Sequence, residues 1–270
     1  MKHTYDTPEP IELYVELGSG RLTTTATETD QTLVEIRGPR AEEFRVDLVG
    51  NRLAVIAPHG RFFGRDSHDV RLTVPAGSGL ATKMGSADTT VTGPLGLVAL
   101  KSGSGDIELD RADGPVVIES GSGDIKGFEF ADDVRIKSGS GDIDLGDVRG
   151  KTGISTGSGD VVLGKVHAST VIKTGSGDLK VQRAEGDVSL TTASGDLVIG
   201  QALRGKVTAK NVSGDVVVGI PTGTPVWTDI NTVTGSVANR LQPVGRPAEG
   251  QDFVELRATT VSGDVRLTNL

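Results

Sequence analysis

The segment Ser138-Gly139-Ser140-Gly141-Asp142-Ile143-Asp144-Leu145 decides the fold, because its Ser-Gly-Asp core recurs along the chain at a constant interval. The residue number of the motif aspartate rises by 18 from each copy to the next, at Asp106, Asp124, Asp142, Asp160, Asp178 and Asp196. A degenerate copy precedes this series at Asp88, and two later copies follow at Asp215 and Asp264. A fixed period of this length is typical of repeat proteins, in which each unit packs against its neighbours.

Within one unit, apolar and polar residues alternate. In the segment Val134–Ser138 the side chains read in-out-in-out-in, and in Asp142–Leu145 they read out-in-out-in. A period of two, interrupted by glycines, predicts short β-strands that are separated by turns. Strands of this length cannot bury a hydrophobic face alone. We therefore predict that successive units stack and bury a common aliphatic interior, as in a solenoid.

Residues one period apart fall into columns in such a stack. One expected aliphatic column contains Ile118, Ile136, Ile154, Ile172 and Leu190, and a second contains Ile107, Ile125, Ile143, Val161, Leu179 and Leu197. Two outward columns alternate in charge, namely Lys101, Glu119 and Lys137, and Glu108, Lys126 and Asp144. Alternation keeps like charges from facing each other across adjacent strands, where they would be destabilising. The expected fold class is all-β, a single-stranded β-solenoid or β-helix of about seven 18-residue rungs.

The two ends of the chain depart from this repeat. Residues 1–80 carry longer alternating strands, and we expect an antiparallel entry section that covers one end of the solenoid at 81–219. Residues 220–270 contain four prolines and are expected to form an antiparallel cap at the other end. Such caps are required because an open rung exposes unpaired backbone and invites aggregation. All three sections are expected to form one continuous domain.

The amino-acid composition excludes several classes of function. The 270 residues include 38 glycines, 3% aromatic residues and no cysteine, and the formal net charge is −8. The lack of cysteine excludes a disulfide scaffold and thiolate metal sites. The acidic balance argues against nucleic-acid binding, which needs clustered Lys and Arg. The first ten residues lack an apolar signal-peptide core, and no apolar run is long enough to span a membrane. We therefore expect a cytoplasmic protein without membrane insertion.

The aspartates are the one constellation that could carry chemistry. Stacking in register would place Asp106, Asp124, Asp142, Asp160, Asp178 and Asp196 in one row. The favoured interpretation is structural: each carboxylate accepts backbone N–H groups in its own Gly-Ser-Gly turn, and no metal or cofactor is bound. The alternative is a row of Ca²⁺ sites, because Ca²⁺ prefers carboxylate oxygens. Calcium-binding β-helix repeats use a Gly-x-Gly-x-Asp spacing, and the string here is one residue shorter.

The two glycines of the Gly-Ser-Gly-Asp motif differ in how regularly they recur. The glycine directly before each aspartate persists from copy to copy, whereas the earlier glycine is replaced by Ala193, Val212 and Val261. We expect the second glycine to adopt a positive φ or to lie where a Cβ would clash, and the first to be optional.

No catalytic residue is predicted. The four histidines, His3, His59, His68 and His167, are scattered without metal-ligand spacing and are interpreted as surface residues. A carbohydrate-active enzyme built on a β-helix is a further hypothesis. It would require two or more convergent carboxylates in a pocket away from the aspartate row.

The chain resembles the bacterial putative-adhesin family of unknown function, which is related to the toastrack domains. The resemblance rests on Leu13–Thr25 (LYVELGSGRLTTT), Val74–Gly79, the repeated SGSGD units, Ile220–Trp227 and Thr260–Val265, and it covers essentially the whole chain. It implies an all-β repetitive fold, no catalytic residues to carry over, and interaction roles linked to the envelope or stress. The leading hypothesis is a non-enzymatic scaffold or protein-interaction module with unknown protein partners and with self-association left open.

Overall fold

Parallel β-strands that follow the predicted period make up most of the structure, which is a computed structural model describing residues 1–58 and 67–270. Two compact units make up the chain: Met1–Asp132 with Lys137–Gly139, and Asp133–Ile136 with Ser140–Leu270. The predicted divisions after residues 80 and 219 stay predictions. In the described ranges, no helix is long and apolar enough to cross a membrane.

The described residues of the first unit form eleven strands and one short 3-10 helix, Ala41–Glu43. The strands are β1 (Lys2–Asp6), β2 (Glu12–Thr27), β3 (Gln31–Arg37), β4 (Arg45–Val49), β5 (Arg52–Ile56), β6 (His68–Pro75), β7 (Gly79–Leu95), β8 (Val98–Ser102), β9 (Ile107–Ala112), β10 (Val116–Ser120) and β11 (Ile125–Phe130). Strand β8 pairs with β10, and β9 pairs with β11, in parallel. The paired residues are one period apart, such as Ile107 and Ile125, as the repeat predicts.

Strand β2 is long because it fills both strand positions of one coil. It pairs in parallel with β7 on one side and with β5 and β6 on the other. The coil of β5 and β6 therefore lies outside β2, although it comes later in the chain. Antiparallel pairing occurs where β3 pairs with β1 and β6, and where β4 pairs with β5. The entry section that we expected to be antiparallel is thus a mixture of parallel coils and antiparallel strands.

The second unit continues the same pattern. Its strands are β12 (Val134–Ser138, where the division between the units falls), β13 (Ile143–Val148), β14 (Thr152–Ser158), β15 (Val161–Val166), β16 (Thr170–Ser176), β17 (Leu179–Ala184), β18 (Val188–Thr191), β19 (Leu197–Ala202), β20 (Gly205–Lys210), β21 (Val216–Ile220), β22 (Val226–Thr234), β23 (Val237–Asn239), β24 (Val254–Ser262) and β25 (Val265–Asn269). Strands β13, β15, β17, β19 and β21 pair in parallel in that order. Strands β14, β16, β18 and β20 form a second parallel series.

The carboxyl-terminal segment is parallel, so the expected antiparallel cap is wrong there. Strands β24 and β25 pair with β20 and β21 on one side and with β22 and β23 on the other. The reason is the Ser-Gly-Asp copy at Asp264, which gives β24 and β25 the register of a regular coil. Since the end segments also form coils, the expected number of about seven rungs counts only the strictly periodic part.

The interior is aliphatic, as the columns predict. All eleven residues of the two expected columns are buried, and none is more than 3% exposed. Each coil alone would expose its aliphatic residues, whereas stacking removes them from water at roughly 25 cal/mol for each Å² buried. The stacking of successive units is therefore the main source of stability.

The glycine before the aspartate is needed on both grounds that the sequence suggested at most copies of the motif, whereas at Gly105 only the close approach of backbone requires it. At Gly177, φ is +132°, and a Cβ would lie 2.2 Å from the carbonyl oxygen of Gly159 in the neighbouring coil. The earlier glycine is not optional everywhere, since a Cβ at Gly103 would lie 2.5 Å from the carbonyl oxygen of Gly85. Ala193, which replaces the earlier glycine of the motif, belongs to a later coil.

We expect Gly177→Ala to lower the free energy of unfolding by more than about 2 kcal/mol, because the backbone of two coils would have to separate. The matched control is Gly153→Ala, where no atom lies within 4 Å of the added Cβ. That change should stay within about 1 kcal/mol of the wild type. Urea titration followed by circular dichroism measures both. Equal stabilities of the two variants would contradict this role of Gly177.

Candidate functional site

The predicted aspartate row exists within each unit, and it joins neighbouring coils. The Oδ1 atom of Asp142 accepts a hydrogen bond from the backbone N–H of Asp160 at 2.9 Å. The same bond, at 2.8–3.2 Å, links Asp88 to Asp106 and Asp106 to Asp124 in the first unit, and Asp160 to Asp178, Asp178 to Asp196, Asp196 to Asp215 and Asp215 to Asp264 in the second. The carboxylates therefore accept backbone N–H groups, as expected, but the donor belongs to the next coil and not to the same turn.

The last bond of this ladder reaches a residue that the sequence reading missed. Asp264 accepts the backbone N–H of Ser236 at 2.9 Å, so Ser236 occupies the aspartate position of the outermost coil. This bond, together with the neighbouring Arg266, holds the pKa of the Asp264 carboxyl below its usual value. The segment Thr234-Gly235-Ser236-Val237 is a degenerate copy of the motif. A serine suffices there because no further coil among the described residues presents an N–H group to it.

The geometry of the ladder does not resemble a cation site. Each aspartate with a ladder bond uses one carboxylate oxygen to accept a backbone N–H, and successive side chains follow the spacing of the strands. Ca²⁺ takes six to eight oxygen ligands that converge on one point. Across the described parts of the chain, no group of three or more His, Cys, Asp or Glu side chains could hold a metal ion. Calcium binding along the row stays a hypothesis.

A second charged cluster ties three coils of the second unit together. His167 contacts the Glu185 carboxylate through Nδ1 at 3.0 Å and the Asp147 carboxylate through Nε2 at 2.9 Å. Arg183 donates to the other Glu185 oxygen at 2.8 Å. The Arg183 bond, followed by the His167 contact, keeps the pKa of Glu185 below its usual value. Both ring nitrogens of His167 are occupied, so neither is available as a general base.

The remaining histidines differ from the sequence expectation in part. His68 is buried, its Nε2 contacts the carbonyl oxygen of Pro39 at 2.9 Å, and its ring packs edge-on against Phe44. The surface interpretation is wrong for this residue, because β6 pairs on both sides and its first side chain faces inward. His3 stacks on the ring of Tyr5. His59 lies outside the described residues.

An exposed apolar column in the first unit is the strongest candidate for a binding surface. We call it the apolar face, and it consists of Ala54, Tyr14, Ala81, Ala99 and Val117, which face one another across paired strands, together with the adjacent Leu97. Tyr14 is 38% exposed, Val117 42% and Leu97 56%. A groove of about 540 Å³ runs over its first three strands. Contiguous exposed apolar patches mark interaction sites in soluble proteins.

Ion pairs border the apolar face. Lys83 bonds to Glu16 at 2.8 Å, and Lys101 pairs with Glu119 at 3.0 Å. The hydrogen bond that Lys83 donates to the Glu16 carboxylate raises the pKa of the Lys83 amine. An apolar centre with a charged rim is the usual anatomy of a protein–protein interface.

The apolar face was missed at the sequence level although part of its signal was present. Ala81, Ala99 and Val117 follow the period of the repeat and face outward, so the count that found the charged columns could have found them. Tyr14 and Ala54 could not be placed in this way, because β2 and β5 join the stack out of chain order.

For the ladder, we expect Asp178→Ala to lower the free energy of unfolding by about 1 kcal/mol, because the Asp196 N–H loses its acceptor to water. Asp178→Asn keeps an acceptor oxygen and should lose less than half as much. The control is Asp144→Ala, an exposed aspartate two residues after a motif. Thermal melting measures all three, and equal losses in the alanine and asparagine variants would argue against the ladder bond.

The same melts in millimolar Ca²⁺ address the cation hypothesis. We expect an unchanged melting temperature, because the ladder offers no convergent set of oxygens. A rise that Asp178→Asn removes would show cation binding by mass action instead.

For the His167 cluster, we expect Glu185 to stabilise the fold at neutral pH. Its folded-state pKa lies below the ordinary value of 4.5, so this stability is present above that value and is lost as the pH falls through the folded pKa. Glu185→Gln should therefore flatten the pH dependence of stability below about pH 4.5. Glu249→Gln, in an exposed loop, is the control. Parallel pH curves for the wild type and Glu185→Gln would contradict the assignment.

Solved structures of other proteins match this chain over nearly its whole length. Among solved structures, a putative lipid binding protein from Parabacteroides distasonis matches with 14% identity and a TM-score of 0.51, over 99% of this chain and 96% of that chain. A putative adhesin from Parabacteroides merdae matches with 12% identity and a TM-score of 0.42, over 98% and 96%. A putative adhesin from Bacteroides fragilis matches with 12% identity and a TM-score of 0.34, over 99% and 96%.

No curated protein has a matching sequence. The family model described as Toastrack DUF4097 matches residues 10–268. This range includes β2 of the first unit and the coil of β24 and β25 of the second. The chain belongs to the Toastrack DUF4097 family.

Proposed function

We propose that the protein is a non-catalytic interaction module that binds another protein through the apolar face of its first unit. The observation that carries this proposal is the continuous outward column of Ala54, Tyr14, Ala81, Ala99 and Val117 on the solvent side of a parallel sheet. Exposing such a column to water has a free-energy cost that a protein partner would remove.

The equivalent position in the second unit does not have this character. There, Val171 is an aliphatic residue flanked in its column by Gly153 and Ser189. Val171 and Val117 are similarly exposed, at 38% and 42%. The contrast indicates that the apolar column is a property of one surface and does not follow from the fold as such.

The side chains of the apolar face indicate what kind of partner would bind there. Small side chains at Ala54 and Ala81 leave room over the sheet, and Tyr14 and Leu97 line the same groove. A partner with aliphatic or aromatic side chains would fill this groove, and its rim would meet Lys101 and Glu119. Aromatic and aliphatic anchors at the centre of such a patch supply most of the affinity.

Catalysis has little support from the polar clusters of the described residues. The ladder carboxylates and His167 are engaged in bonds between coils. In the same ranges of the chain, no group of three or more His, Cys, Asp or Glu side chains converges as a metal site would require. This arrangement favours binding over the carbohydrate-active alternative, in which two carboxylates must be free to flank the bond that is cleaved.

Val117→Lys is the direct test, because it places a charge in the apolar face, at the end of the column beside Ala99. Wild-type protein, Val117→Lys and the matched control Val171→Lys are used to capture partners from source cells by cross-linking, and the captured protein is then purified. We expect its Kd to rise at least tenfold for Val117→Lys and to stay unchanged for the control.

Two results would overturn the proposal. One is equal binding of the captured protein by both variants. The other is that Val117→Lys removes binding to phosphatidylcholine vesicles while protein capture persists, which would identify a lipid surface instead. Melting temperatures of both variants establish that they are folded.

A further inference from the structure

The outermost strand of the second unit has an open edge. In the described structure, β22 pairs with β24 and with no other strand. It is nine residues long and contains one charged residue, Asp229, and no proline. Natural edge strands are usually short or protected by several charges, proline or a bulge, because unprotected edges pair with other chains. β22 lacks these protections, so a pairing partner is expected.

The interior of this last coil is also incompletely covered. In β24, the inward residues Val254, Leu256 and Ala258 are fully buried. Their neighbours Val226 and Ile230 in β22 are only half-buried. On the outward side, Trp227 is 51% exposed and Val233 74%. The aliphatic column therefore ends at a surface that one more strand would cover.

The sequence of β22 is complementary to itself when two copies run antiparallel. With Ile230 opposite Ile230 of a second copy, residue numbers that sum to 460 face each other. The facing pairs are then Trp227 with Val233, Thr228 with Thr232, Asp229 with Asn231, and Val226 with Thr234. Aromatic–aliphatic and Thr–Thr pairs are stabilising across strands.

The charge pattern selects this register. The only ionised residue of the strand, Asp229, faces an amide of the other copy at Asn231 and not a second carboxylate. Within one chain, Asn231 already donates to Asp229 at 3.3 Å, so these two side chains are on the same outward side and in reach of each other. A shift by two residues along the strand would place Asp229 opposite Asp229 or Val233, with repulsion or with a desolvated charge.

We propose that two copies of this protein associate through β22, paired antiparallel about a twofold axis at Ile230. A twofold pair uses the same edge of both copies and leaves neither β22 edge free, so pairing through this strand stops at a dimer. This interface is separate from the apolar face, so its test is independent of the proposed function.

The first test exchanges the charge pair. Sedimentation equilibrium of the wild type should give twice the mass of the chain. Asn231→Asp places two carboxylates opposite each other at two symmetric positions, and the dimer Kd should rise at least tenfold. The double change Asp229→Asn with Asn231→Asp restores a carboxylate–amide pair and should restore the dimer. Val171→Lys, far from this strand in sequence and on a different coil, should leave the dimer unchanged.

The second test reads the register directly and does not depend on charge. Because the chain has no cysteine, Ile230→Cys gives a single thiol that faces its own copy across the axis. It should form a disulfide-linked dimer under mild oxidation, since facing Cβ atoms lie about 4.5–5.5 Å apart. Thr228→Cys is the matched control, because its two copies would be four residues, roughly 13 Å, apart along the strand.

Each remaining outcome overturns the proposal. A wild type that sediments as a single chain at tens of micromolar, a dimer that survives Asn231→Asp, or equal cross-linking at positions 228 and 230 would exclude this pairing. Species that grow beyond the dimer with concentration would indicate head-to-tail stacking of coils instead. Circular dichroism of each variant shows that the β-structure is retained.

Discussion

The structure depends on the close contact of backbone with backbone at the Gly-Asp turn. A glycine without a Cβ lets one coil approach the carbonyl oxygen of the coil beside it, and the following aspartate accepts the N–H of the next coil. Both interactions require that the chain return to the same place once in every repeat. Once that return is enforced, inward residues form aliphatic columns and outward residues form surface columns, since in-register parallel pairing places equivalent positions side by side.

The same constraint explains how each unit ends. A terminal coil has only one neighbour, so its strand would be held by half of the usual contacts. In the first unit, β2 lies between the coil of β5 and β6 and strand β7. In the second unit, β24 lies between β20 and β22. In both units the outermost coil is therefore formed by residues that lie farther from the chain terminus than the coil they cover. Strands β2, β24 and β25 are therefore each paired on both sides. The outermost coil then needs fewer apolar residues, and serine replaces aspartate at its ladder position.

On such a fold, the outward columns of side chains determine what the surface can bind. Because a position repeats across neighbouring strands, a small bias in residue type at one outward position produces a continuous stripe. The charged column beside the apolar face balances its charges through ion pairs, since Lys83 bonds to Glu16 and Lys101 pairs with Glu119. The apolar side chains in the column through Tyr14 and Val117 stay exposed to water, because apolar side chains in a flat row cannot bury one another. It is therefore suited to contact with a partner, and rigid parallel pairing keeps that surface preorganised.

The sequence by itself determined the period, the two aliphatic columns, the aspartate row and the need for glycine before aspartate, because all of these are local patterns repeated at a constant spacing. The tertiary structure decided the order in which the end segments join the stack, the parallel pairing of β22 to β25, the inward position of His68 and the coil to which each aspartate bonds. These features depend on which strands become neighbours when segments far apart in the chain meet. Neither the period of the repeat nor an alternation of polar and apolar residues specifies that choice, since β5 and β7 both pair in parallel with the first residues of β2, one at each edge.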